Sequence, residues 1–374
     1  MEFQDWGLYI HVPWCKRRCP YCAFYVEVDR QTDWSGFITQ LIHEKNARRP
    51  EYHGPMKTMF FGGGTPSRMP AALFKRLVSS LTEPSIAEIG IEANPEDVQS
   101  KQLEHWLDSG VNRISLGIQT FNQEYAHLLN RACTVSRARE IIDSVRESGV
   151  RSWSVDLMFA LPNQSLDDLK KEVDNLLQCE PPHVSLYGLT YEPGTPFERA
   201  RKNGKLSPVD DEIWRAMYEY IVATLRSAGL QRYEVSNFSR PGHESIHNQL
   251  YWSDMPYMGI GPSAHGYTSS GARTANPANV QTWLQLGQFD GYRETPTKEQ
   301  AALDMLVSGL RSRNGVSLGR MAEKTGFTID VSPLHSWFQK GLIRLADDHL
   351  MVMDDGFPLT DALSRQLVHH LVPR

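Results

Sequence analysis

No stretch of this 374-residue chain approaches the roughly 18 consecutive apolar residues that a membrane-spanning helix needs. The opening residues MEFQDWGLYIHVPWC lack a basic segment followed by an apolar core and a small-residue cleavage site, so they do not read as a signal peptide. An excess of one charge is missing too. The 39 Lys plus Arg against 44 Asp plus Glu leave −5, which excludes a global basic field that would recruit nucleic acid. There is no internal repeat at 20–50 residues and no low-complexity tract. Cysteine is scarce: five residues, an odd number, exclude a disulfide framework in a chain this long. Free thiols point to a reducing compartment, and a cytoplasmic protein is expected. The terminal Leu371-Val372-Pro373-Arg374 matches a protease-site remnant and carries no weight in the reading.

What is present is a regular alternation. Short apolar runs at Gly7–Val12, Lys57–Gly62, Glu88–Ala93, Arg113–Gln119, Ser152–Leu161 and His183–Leu189 read as strands. Between them, Trp34–Asn46, Ala71–Leu81, Ser100–Ser109, Ser136–Ser148 and Leu166–Leu177 carry apolar residues three and four apart, the period of amphipathic helices. Gly110 and Gly149 stand where left-handed C-terminal caps belong. Nearly continuous apolar strands alternating with helices predict an α/β fold, a partial or full (β/α) barrel of about six units, with its chemistry at the C-terminal strand ends. Gln231–Phe238 reads as a further strand. From about Thr297 the pattern becomes helical, and Ser317–Gly326, Pro333–Gly341 and Leu342–Val352 suggest helix, helix and β-ribbon, a winged-helix-like order. It carries no dense basic helix, so packing or a lid role is preferred over DNA binding. The expected divisions are a barrel over 1–235, an extension over 236–295 and a small domain over 296–374.

The densest chemical signal is Cys15-x-x-x-Cys19-x-x-Cys22, on a loop leaving the first strand. Cysteine-only ligation points to zinc or an iron–sulfur cluster. Structural zinc takes four closed ligands, usually from two pairs, and no second pair exists. Three cysteines on a four-iron cluster leave one iron open to a ligand. One strand later, Gly62-Gly63-Gly64-Thr65-Pro66 allows close backbone approach, although a tight turn alone would also explain it.

Together these segments resemble the radical S-adenosylmethionine superfamily. The sequences IEANPE (Ile91–Glu96), NRISLGIQTFN (Asn112–Asn122), VDL (Val155–Leu157), HNQLYW (His247–Trp252) and GIGPSAHG (Gly259–Gly266) extend the likeness over nearly the whole chain. They are similar to the oxygen-independent coproporphyrinogen III oxidase group, and within it to the heme chaperone branch. The oxidases carry a further cysteine where this chain has Phe24, and a long segment before the cluster loop, where only 14 residues precede Cys15 here.

The resemblance implies a 4Fe-4S cluster on Cys15, Cys19 and Cys22, and S-adenosylmethionine on the open iron. Tyr9, Tyr21, Gly63, Gly64, Thr65, Glu92, Gln119, Arg131 and Asp156 would contact that cofactor. Arg131 suits its carboxylate, and acidic groups suit its ammonium or ribose hydroxyls. Helix capping would equally account for Glu92 and Asp156, a surface ion pair for Arg131, and backbone satisfaction for Gln119. His247, Tyr251 and Trp252 would bind heme, imidazole on iron and flat rings on the porphyrin. Gly261 would back the adenine, with His265 in the same loop. Two departures stand out: Ala23 where the branch has Asp, and Cys133 where it has His. Cys133 is either a heme ligand or a small buried residue.

The implied function is a heme chaperone handing heme to an acceptor protein such as a respiratory enzyme. The alternative is a radical enzyme, a coproporphyrinogen III oxidase-like decarboxylase or a radical methylase, forming a 5′-deoxyadenosyl radical with an electron donor. A winged-helix regulator sensing cluster state is a weaker third reading. Neither a nucleic-acid partner nor a membrane span is expected.

Overall fold

A computed structural model describes residues 4–28, 32–285 and 289–374. Six parallel strands follow one another in sequence order across a single sheet: β1 (Trp6–Val12), β2 (Met56–Gly63), β3 (Glu88–Ala93), β4 (Arg113–Gln119), β5 (Ser152–Phe159) and β6 (His183–Gly188). The helices that return the chain are α1 (Trp34–Arg48), α2 (Ala71–Leu81), α3 (Ser100–Asp108), α4 (Gln123–Leu128), α5 (Val135–Glu147) and α6 (Leu166–Gln178). Their starts are set locally. Asp33 caps α1, Thr134 caps α5, and Ser165 with Asp168 forms a reciprocal capping box on α6. Gly110 and Gly149 take φ of 94° and 78°, the left-handed geometry expected after α3 and α5.

Period-two alternation divides the strands into two faces. Leu8, Ile10, Phe61, Ile91, Ile114, Leu116, Val155 and Leu157 pack outward against Phe37, Leu41, Phe74, Leu77, Trp106, Ile142 and Val173 of the helices. The other face carries small or polar residues: Gly62, Gly90, Glu92, Ser115, Gly117, Ser154, Asp156 and Ser185. At about 25 cal/mol per Å² of buried apolar surface, the outer layer holds the fold together. On this face Tyr9 and Phe60 fill one end of the barrel with His247, and the small residues leave the other end open.

Both edges of this arc are extended. Past β6 lie β7 (Gln231–Arg232) and β8 (Asn237–Ser239), an antiparallel pair. The single strand expected over Gln231–Phe238 is therefore two, because the Tyr233 N–H turns back onto the Asn237 carbonyl. On the opposite edge β9 (Tyr257–Ile260) lies parallel to β1, followed by the antiparallel β10 (His265–Tyr267), β11 (Arg273–Ala275) and β12 (Tyr292–Glu294). The segment after residue 236 thus builds wings of one twelve-stranded sheet. Glu44 of α1 fastens one wing. It accepts from Arg48, the Gly261 N–H, Asn276 and Trp283, a buried charge with its hydrogen bonds satisfied.

The C-terminal residues form a second core around Leu306, Met321, Leu334, Leu350 and Leu363. Helices Lys298–Gly309, Leu318–Thr325 and His335–Gln339 precede the hairpin Ile343–Ala346/His349–Val352, which pairs with Val316–Ser317. The chain closes with helix Thr360–Val368 and a strand Leu371–Pro373 against Phe327–Ile329. Asp354 ties this unit to the sheet edge through Arg232 at 2.6 Å and Arg226 at 3.3 Å. Among the described residues, no helix is long and apolar enough to cross a membrane.

Candidate cofactor site

A cavity of about 890 Å³ opens at the C-terminal ends of the parallel strands. Cys15, Cys19 and Cys22 all face it, on the loop that leaves β1. The loop is shaped from within by the Cys22 N–H donating to the Cys19 carbonyl at 3.2 Å. Thr65 Oγ1 donates to Cys15 Sγ at 3.3 Å, and Arg131 Nη1 lies 3.8 Å from Cys19 Sγ. Burial pushes the Cys15 thiol up to about 11, and it raises Cys22 as well. A bound metal must therefore displace protons from these thiols. Among the described residues, no three His, Cys, Asp or Glu side chains converge on a single ion. Three cysteines spread along one loop and facing one cavity suit a cluster, which takes each thiolate on a different iron.

Arg131 is held for work at this wall. Its Nη2 donates to Asn94 Oδ1 at 2.8 Å and to the Gly117 carbonyl at 2.6 Å, and Asn94 Nδ2 donates to Thr65 Oγ1 at 3.2 Å. Arg131, Asn94 and Thr65 thus form one polar row beside the cysteines. Asn94 was present in the IEANPE segment but was not singled out; its tie to both neighbours depends on contacts between strands. Gln119 also lines the cavity and adopts φ 71°, where the β4–β5 register shifts between Gly117 and Gln119. A non-glycine residue in that region is strained, and such strain collects at ligand sites.

The glycines serve the protein's own packing first. A Cβ on Gly63 (φ +105°) would meet the His11 ring at 2.5 Å, and one on Gly64 would meet Pro13 at 2.7 Å. Gly63 and Gly64 still line the cavity with Thr65. Glu92 accepts the Gly63 N–H at 3.1 Å, and burial together with the charge of Asp156 pushes its carboxyl up to about 8. Asp156, raised chiefly by burial, accepts from Ser115 at 2.7 Å and Ser154 at 3.0 Å. Tyr21 lines the cavity with its ring on Phe197. Tyr9 does not reach that wall. It lies deeper in the barrel, stacked on Phe60 and His247, with its hydroxyl 3.1 Å from His11 Nδ1.

The residues expected to bind heme lie outside the lining of this cavity. His247 is 1% exposed, and both ring nitrogens are engaged, Nδ1 with Thr58 at 2.7 Å and Nε2 with Tyr251 at 2.7 Å. Glu88 accepts the backbone N–H groups of Ile246 and His247 and the Arg113 guanidinium, so helix Ile246–Trp252 plugs the far end of the barrel. Burial lowers the imidazole to about 4 and keeps it neutral. It is a fully bonded core histidine with no nitrogen free for iron. Trp252 faces a separate small pocket of about 120 Å³. Cys133 packs against the core with its thiol toward the Thr134 carbonyl, and neither it nor His265 lines the large cavity. Gly261 (φ +94°) has its missing Cβ filled by the His11 carbonyl at 2.5 Å, so it serves strand packing.

Missed by sequence reasoning is the largely apolar part of the cavity lining. Met158, Phe159, Tyr187, Trp214 and Tyr218 line it from the barrel, and Arg311, Phe357, Pro358 and Thr360 from the C-terminal unit. These positions come from two cores far apart in sequence, and no local pattern joins them.

A profile of the Radical SAM superfamily matches residues 9–176. The heme chaperone HemW of Bacillus subtilis is 34% identical over 93% of this chain and 95% of its own length. That of Lactococcus lactis is 33% identical over 84% of each. The solved structure of Escherichia coli HemN, described as a coproporphyrinogen III oxidase and radical SAM enzyme, superposes with a TM-score of 0.81 over 97% of this chain and 90% of that one, at 22% identity, so the likeness is one of fold. With full-length relatives above 30% identity, this chain belongs to the HemW family of the radical SAM superfamily.

Proposed function

We propose that the protein is a heme chaperone that binds heme, carries a 4Fe-4S cluster with exchangeable S-adenosylmethionine, and passes the heme to an acceptor protein in a reducing compartment. The observation that carries this reading is the two-sided cavity. Its lining combines the three cysteines with Thr65, Asn94 and Arg131 on the polar side and Phe159, Trp214 and Phe357 on the apolar side. Its volume lies toward the upper end of the roughly 300–1,000 Å³ usual for ligand pockets, which suits a cofactor beside a flat second ligand. The polar wall would hold the cluster on its thiolates and the cofactor's carboxylate on Arg131. The apolar wall would take the porphyrin face, since His247 is closed off at the other end.

The complete polar row beside the cysteines equally favours a radical enzyme acting on a tetrapyrrole, for which the bound cofactor would supply a one-electron cleavage. Anaerobic reconstitution separates the two. A heme titration followed at the Soret band, with 5′-deoxyadenosine assayed in the same samples, should give about one heme per chain and no deoxyadenosine. Deoxyadenosine release without heme binding would overturn the chaperone reading.

A further inference from the structure

The cations that line the large cavity come from separate parts of the chain. Lys16, Arg17, Arg18 and Arg131 belong to the cysteine loop and to the segment after α4, whereas Arg311 comes from the C-terminal unit. Arg311 stands two residues past helix Lys298–Gly309 and is held by it, its Nη1 donating to the Val307 carbonyl at 3.1 Å. Its Nη2 donates to Asp361 Oδ1 at 2.7 Å, and Asp361 lies in the first turn of helix Thr360–Val368. The same segment supplies Phe357, Pro358 and Thr360 to the cavity lining. The Thr360 hydroxyl donates to the Phe357 carbonyl at 2.8 Å, and the Arg232 guanidinium, tied to Asp354, covers the Phe357 ring at 3.1 Å. The segment is therefore fixed where it meets the cavity. The two members of the ion pair differ in freedom: the Arg311 side chain is 29% exposed and bonded to its own helix, whereas that of Asp361 is 69% exposed. An ion pair so open to water adds little stability, so a second carboxylate can replace Asp361 at small cost.

We infer that Arg311 seats an edge carboxylate of the bound tetrapyrrole, and that Asp361 holds the guanidinium until that carboxylate displaces it. The inference rests on the heme reading above and names the part of the lining that reads the ligand's charge. A heme has flat apolar faces and acid side chains at its rim. A lining that takes a face on Phe357 and Trp214 must therefore also meet a carboxylate or leave it to water. Of the lining cations, Arg311 alone belongs to the unit that supplies Phe357 and Pro358. Arg131, by contrast, is already engaged with Asn94 and the Gly117 carbonyl beside the cysteines. In a partly dry cavity a carboxylate on a guanidinium makes a charge-assisted contact stronger than the exposed pair it replaces. No covalent bond forms or breaks; one carboxylate leaves the arginine and another arrives.

The test uses hemin and hemin dimethyl ester, which keeps the ring and the iron but has no acid side chain. Both are titrated at the Soret band into anaerobically reconstituted protein in the same dilute detergent. Wild-type protein should bind hemin about tenfold more tightly than the ester, on the order of one charge-assisted contact. Arg311→Met should lose about tenfold for hemin and nothing for the ester, whose unchanged affinity shows that the variant is folded. Asp361→Asn should do the reverse. Its hemin affinity should rise about two- to fivefold, because no ion pair has to be broken first, with the ester again unaffected. A merely structural ion pair would give no such gain. Equal affinity for hemin and ester, equal losses of both in Arg311→Met, or no gain in Asp361→Asn overturns the inference and leaves the heme reading standing. So does a loss of S-adenosylmethionine affinity in Arg311→Met, which would make the arginine a contact of that cofactor. Binding of neither tetrapyrrole overturns the heme reading, and the carboxylate seat with it.

Discussion

Glu92 and Asp156 line the same cavity, where burial, and then the charge of Asp156, hold the Glu92 carboxyl up at about 8. Glu92 also accepts the Gly63 N–H, which favours its ionised form but does not offset burial and repulsion. No cation is among the groups that shift Glu92, so an ammonium or sulfonium bound beside it would favour its ionised form.

Two pH effects follow from that pair. An unfolded chain ionises Glu92 near 4.5, whereas the native protein keeps the proton to about 8. Between those values the native state binds more protons than the unfolded one, so this group lowers stability as pH rises from about 5 to 8. Urea melts of ligand-free protein at three pH values across that window should show the decline, and Glu92→Gln should flatten it. In the same window S-adenosylmethionine should bind more tightly as pH rises, with proton release on binding. An affinity independent of pH would remove Glu92 from the cofactor site.

His247→Ala should destabilise the protein and leave heme binding in place. The substitution strands the buried Thr58 and Tyr251 hydroxyls and opens a cavity where Tyr9 and Phe60 now stack on the ring. A loss of about 2–4 kcal/mol is expected from those mechanisms. Denaturant midpoints measure the stability, and a Soret titration below the transition measures the heme. Loss of stoichiometric heme with an unchanged midpoint would return His247 to the list of iron ligands.

The outer half of the barrel was legible because each strand exposes one apolar face and each helix repeats at three and four residues. Strand β5 illustrates the limit of that signal. Its apolar run continues to Leu161, but Ala160 takes φ 56° and ends the pairing at Phe159. Strand β9 went unread because Tyr257–Ile260 is four residues long and includes a glycine; pairing with β1 makes it a strand. The cysteine loop and the Gly-rich segment were readable as local motifs. The surroundings of His247 were not legible: a motif names a residue type, whereas its burial and the engagement of its ring nitrogens depend on Thr58, far off in the chain, as well as on the neighbouring Tyr251.

Arg131→Met should spare the cluster and cost cofactor affinity. The side chain reaches Cys19 Sγ only at 3.8 Å, but Asn94 and the Gly117 carbonyl hold it fixed beside the cavity. Removing a charge-assisted contact to a carboxylate costs about 1.5–3 kcal/mol, or about 10- to 150-fold in affinity. Iron and sulfide content with the cluster's visible absorption would be unchanged, while the cofactor's effect on the cluster's electron paramagnetic resonance would need higher concentrations. Loss of iron from the variant would instead make Arg131 a support for the cysteine loop.

Gly63→Ala should damage both functions through the backbone. The residue sits at φ +105°, and the new methyl would meet His11, whose Nε2 lies 2.9 Å from the Tyr25 carbonyl. Unfavourable φ costs about 1–3 kcal/mol, and displacing His11 adds the loss of that bond. Lower denaturant midpoints and weaker cofactor binding together are expected, whereas a stable variant that binds normally would mean the segment is more pliable than its contacts indicate.

Trp214→Leu tests the apolar wall on its own. Trp214 is stacked on Tyr218 with an interplanar angle of 9°, and tilted against Phe159, so its ring is fixed where it meets the cavity. Leucine keeps the site apolar but removes the flat face. If the porphyrin lies against that face, heme affinity should fall by about 2- to 13-fold, the value of roughly 0.5–1.5 kcal/mol for an aromatic stacking contact beyond its buried area. S-adenosylmethionine contacts only the polar side in this reading, so its affinity should hold. Equal losses for both ligands would indicate that Trp214 shapes the barrel mouth, and an unchanged heme affinity would move the heme seat off this wall altogether.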